Sequence, residues 1–71
     1  MNNIERIVRA VGLIKKVPAS EVYARVYQDG SGRVVRDNYG SEELYFNFGI
    51  NGLEDAFIDW LGDQTNSRIW Q

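Results

Sequence analysis

"SEVYARVYQDGSGRVVRDNYGSEELYFNFG", residues 20–49, decides the fold, because its apolar side chains recur at every second position. Val22, Ala24 and Val26 alternate with Tyr23, Arg25 and Tyr27, and Leu44, Phe46 and Phe48 alternate with Tyr45 and Asn47. Successive side chains of a strand point to opposite faces, so each run reads as a half-buried strand. "QDGSG" between them supplies glycines able to take the positive φ that tight hairpin turns need. Arg33–Asp37 forms the middle strand and "NYGS" turns the chain once more. The segment reads as a three-stranded antiparallel meander with Leu44, Phe46 and Phe48 on its buried face.

On either side the period changes. Ile4, Ile7, Val8, Val11 and Ile14 recur at helical spacing and predict an amphipathic helix over residues 3–15, ended by Pro18. Downstream, Leu53, Ala56, Phe57, Trp60 and Leu61 form a second apolar stripe. Asn51 is the expected N-cap of that helix, Glu54 its capping-box partner and Gly62 its stop. Ile69 and Trp70 are expected to pack on the core or in a short added strand. The order α-β-β-β-α defines a single α+β domain over residues 1–71, with a three-stranded antiparallel sheet flanked by two helices.

Composition narrows the function. The 71 residues include no cysteine and no histidine. Disulfides and thiolate metal sites are excluded, as are the commonest general base and the commonest metal ligand. "DGSGR" lacks the strand, lysine and helix context of a phosphate loop, and turn chemistry accounts for it. A non-enzymatic protein without cofactor or metal is expected. No run approaches the ~20 apolar residues of a membrane span, and none has signal-peptide length, so a cytoplasmic protein is expected.

The net charge of −2 hides a division. Residues 1–36 carry seven basic and three acidic side chains, a net +4, whereas residues 37–71 carry one and seven, a net −6. Such asymmetry points to charged partners or to halves that neutralise each other on folding. Asp55, Asp59 and Asp63 recur every fourth residue, a rise of ~6 Å per step on a helix. That step is close to the ~6–7 Å between successive nucleic-acid phosphates. With Asp37, Glu42 and Glu43 from the second turn, they define a candidate acidic edge. A second candidate is the sheet face of Tyr23, Arg25, Tyr27 and Tyr45, where tyrosines could stack bases and arginine hold phosphate. An isoelectric point near 4.9 opposes direct nucleic-acid binding.

In layout, with its twisted hairpin "EVYARVYQDGSGRVVRD" and late acidic helix "LEDAFIDWLGD", the chain resembles the small anti-CRISPR proteins by which bacteriophages block host defence. The class shares no sequence motif. The resemblance implies an inhibitor whose acidic edge meets a basic surface of a CRISPR effector subunit inside the bacterial host. The charge division also allows a homodimer in place of a monomer, with the basic half of one chain on the acidic half of another.

Overall fold

The computed structural model describes residues 2–69, with side chains through Thr65. The elements follow in the order α1 (Asn3–Lys15), a short 3-10 turn (Ala19–Glu21), β1 (Val22–Val26), β2 (Gly32–Asn38), β3 (Ser41–Phe48) and α2 (Leu53–Ile69). The sheet is antiparallel in the order β1-β2-β3. The α+β architecture read from the periodicities is the architecture observed.

Each terminus of α1 has a local cause. Asn2 caps the start, its side chain accepting the Glu5 amide at 2.9 Å. At the end, Lys16 turns left-handed at φ 59°, its amide bonding Leu13 O and the Val17 amide bonding Gly12 O. This is a Schellman closure, which satisfies the last free carbonyls. Gly12 lowers helix propensity, but the loop comes down on it: a Cβ there would lie 3.4 Å from the Val17 carbonyl oxygen and 3.5 Å from Ala19 Cα. Its small size lets α1 approach β1.

Both helices cover one face of the sheet, α1 over β1 and α2 over β3. The core between them is Ile7, Val11, Val22, Val34, Phe46, Phe48 and Trp60. Trp60 sits 5.8 Å from the Phe46 ring centre and 6.1 Å from that of Phe57. Each helix runs antiparallel to the strand it covers, so α1 and α2 run the same way, their starts joined by a hydrogen bond from Asn3 Nδ2 to Glu54 Oε1. Glu54 is thus committed to α1 and not to its own cap. Asn51 is not the cap either: it lies at φ 54°, in a turn closed by Gly52 N to Gly49 O, and the Gly52 carbonyl accepts the first helical bond, from the Ala56 amide.

The sheet departs from strict alternation at one place. Val34 pairs with Phe46 but Val35 pairs with Leu44, leaving Tyr45 as an extra residue on β3. A bulge of this kind exchanges the faces of everything beyond it. Leu44, expected in the core beside Phe46, therefore faces outward and is half exposed. Tyr45, expected outward, packs against the core 6.2 Å from Trp60, and the Lys15 ammonium lies 5.8 Å from its ring centre.

The second departure is Gly62. The expected stop lies inside α2, which continues to Ile69, so the tail adds no strand there; Trp70 lies outside the described residues. One helical glycine costs ~1 kcal/mol relative to alanine, too little to end a helix unaided.

Two glycine substitutions check these placements. Gly62→Ala should raise stability by ~0.5–1 kcal/mol in urea unfolding, since its added methyl meets nothing within 4 Å. A loss would mean that the helix stops there after all. Gly32→Ala should cost ~1–3 kcal/mol, because a Cβ would collide with the Arg25 carbonyl and lie 2.7 Å from the Phe48 ring.

Candidate partner-binding surfaces

The acidic side chains fall into two sets. Asp55, Asp59 and Asp63 all lie within α2 and are all exposed. Because the helix passes Gly62, the line is three carboxylates long. Among the described residues, no salt bridge engages any of them. Ile58, one helical turn beyond Asp55, is 63% exposed. It is the apolar element of this surface, which the buried stripe read from the sequence did not include; its position off that stripe was the available signal.

The acids of the β2–β3 turn do not extend this line as a free patch. The bulge turns Glu42 outward, where it accepts from Arg25 Nε and, at 2.6 Å, from the Tyr23 hydroxyl. Glu43 points to the helical side, 3.8 Å from Arg36, whose guanidinium also holds Glu21 at 2.9 Å. Asp37 Oδ1 accepts the Gly40 amide at 3.2 Å and closes the turn. Part of the opposite charge in the two halves is therefore matched inside the fold. The acidic edge contracts to α2.

The uncovered sheet face carries Tyr23 and Arg25 from β1, Arg33, Val35 and Asp37 from β2, and Glu42, Leu44 and Asn47 from β3, as the register dictates. Tyr27 follows β1 at its end, with the Arg33 guanidinium 5.9 Å from its ring centre. Tyr45, read as part of this face, is absent from it because of the bulge. Val35 is only 1% exposed although no helix covers it. Its register neighbours Tyr23 and Leu44 flank it, and Glu42 reaches across from β3 to tie Tyr23 and Arg25 together over the middle strand. The Arg25 guanidinium also lies 5.5 Å from the Tyr23 ring centre. This face holds two arginines against two carboxylates, and its most exposed cation is already paired. Scans against protein-family models, curated proteins and solved structures return no match.

The network predicts an acid-sensitive contribution. Hydrogen bonds from Arg25 and then Tyr23 hold the Glu42 carboxyl below its ordinary value of 4.5, and Tyr23 is pushed up by the same carboxylate. A depressed folded-state pKa contributes stability above the ordinary value, which is lost as pH falls through the folded one. Glu42→Gln should therefore make the fall in the urea midpoint between about pH 5 and about pH 3 shallower than in the wild type. An unchanged acid limb would show that the three groups do not stay together in solution.

Proposed function

We propose that this protein is a small non-enzymatic inhibitor that binds another protein through the outer face of α2. The observation that carries the reading is the line of Asp55, Asp59 and Asp63, exposed along about two turns with Ile58 beside it. Like charges four residues apart each cost a few tenths of a kcal/mol, and aspartate is a poor helix former. The line makes local sense as a surface meant for cations. The partner is a protein with a basic surface. The resemblance to anti-CRISPR proteins gives that surface a specific form, the nucleic-acid-binding groove of a CRISPR effector. Electrostatic complementarity would set the rate and selectivity of encounter, and Ile58 would add desolvated contact.

The Tyr23/Arg25 sheet face is the weaker surface for a nucleic-acid module. Its arginine is held by Glu42, and binding a phosphate there would first require breaking that pair.

The test is capture of partners by the immobilised protein from nuclease-treated bacterial lysate, at low and high salt. The expected result is a protein partner retained at low salt and released at high salt. Asp55→Asn/Asp59→Asn/Asp63→Asn should weaken its binding by at least about tenfold while circular dichroism shows the fold retained. Capture that survives the triple substitution, or that disappears with nuclease, would overturn the reading.

A further inference from the structure

The helical layer is polarised in a way that fits a second copy of this chain. Arg6, Arg9 and Leu13 of α1 and Lys16 at its left-handed close are all exposed, opposite the buried Ile7 and Val11. On α2, the exposed side carries Asp55, Ile58, Asp59 and Asp63. A basic strip and an acidic strip therefore lie side by side on one broad face. Between them runs an open groove whose lining includes Arg6 and Ala10 on one side, Phe57 and Ile58 on the other, and the paired Asn3 and Glu54 at one end. Each strip also has its own bare aliphatic residue, Leu13 at 80% exposure and Ile58 at 63%.

We infer that the helical face is self-complementary and forms a two-fold dimer. A half-turn about an axis lying along the groove carries α1 of one copy onto α2 of the other. It leaves helix direction unchanged, and α1 and α2 already run the same way. The basic strip of each copy then faces the acidic strip of its partner, twice. The strips also overlap along the axis: with Asn3 level with Glu54, Arg6 and Arg9 fall between the heights of Asp55 and Asp63 at ~1.5 Å per residue. Isologous contacts have this property, since each surface patch must answer its own rotated image.

Size permits it. The chain exposes 5151 Å² in all, and a standard interface takes ~800 Å² from each partner, about a sixth of that surface. Leu13 and Ile58 lose water in the contact, while the aligned charges set the orientation. The inference goes beyond the partner reading and does not depend on it, because it concerns the protein alone. If both hold, self-association and partner capture compete for α2.

The experiment is sedimentation of the purified chain over a range of concentrations, at low and high salt, with no other protein present. The wild type should sediment as a dimer at low salt and dissociate at least about tenfold more readily at high salt. Arg9→Glu/Lys16→Glu and Asp55→Lys/Asp59→Lys should each be monomeric, since like charges then face each other. Mixed in equal amounts, the two variants should form a heterodimer, because each restores the sign its partner lost. Circular dichroism separates a folded monomer from an unfolded variant, and Leu13→Ser, which leaves every charge in place, gives a second test by weakening the wild-type dimer. A wild type monomeric at every concentration, a dimer indifferent to salt, or folded variants that fail to pair when mixed would each overturn the inference.

Discussion

One extra residue in the third strand sets the surface chemistry of this molecule. Without Tyr45 in the bulge, β3 would keep strict alternation and Glu42 would point toward the helices. With it, Glu42 faces outward, crosses Val35 and meets Arg25 and Tyr23. The same shift places Glu43 on the side of Arg36 and sends the Tyr45 ring to Trp60. The two ion-pair networks and one wall of the aromatic core therefore share a single backbone cause. Bulges commonly re-aim side chains in this way, and here the re-aimed groups decide which carboxylates remain free.

The core and the surface therefore separate cleanly. The helix-covered core is confined to one face of the sheet, where Val11 and Val34 are fully buried and the aromatic rings of Phe46, Phe57 and Trp60 fill the space under α2. The other face stays polar but not vacant. It is closed over the middle strand by side chains that are themselves amphipathic, with ring and aliphatic portions below and charged ends above. A small domain gains from this, because it has too few residues to cover both sides of a sheet with helices.

The order of elements was legible because the period of the apolar residues changes twice, from helix to strand and back. The stripes Ile7/Val11 and Phe57/Trp60 needed no further information. The bulge was not legible, since "ELYFNF" alternates perfectly on paper and the shift arises only against the partner strand. Nor was the start of α2: Asn51 suits a cap, yet it suits a left-handed turn equally well, and the Gly49–Gly52 bond selects the turn. Gly62 misled for the converse reason, because a glycine allows a stop without enforcing one. Among the candidate site residues, the sequence could place Asp55 and Asp59 on an exposed helix face. It could not foresee that Glu42 and Glu43 would find arginines, because those pairings join residues far apart in the chain.

The parallel course of α1 and α2 has an electrical consequence. Peptide dipoles in the two helices point the same way, so the partial positive charges of both starts gather at one end of the molecule. Glu5 lies in the first turn of α1, and Glu54 and Asp55 lie in the first turn of α2, where anions offset that field. Those three carboxylates therefore have a structural employment within the fold itself. Asp59 and Asp63 lie farther along α2, beyond the reach of its amino end. Among the described residues, they are the charges for which no ion pair gives a use within the isolated fold.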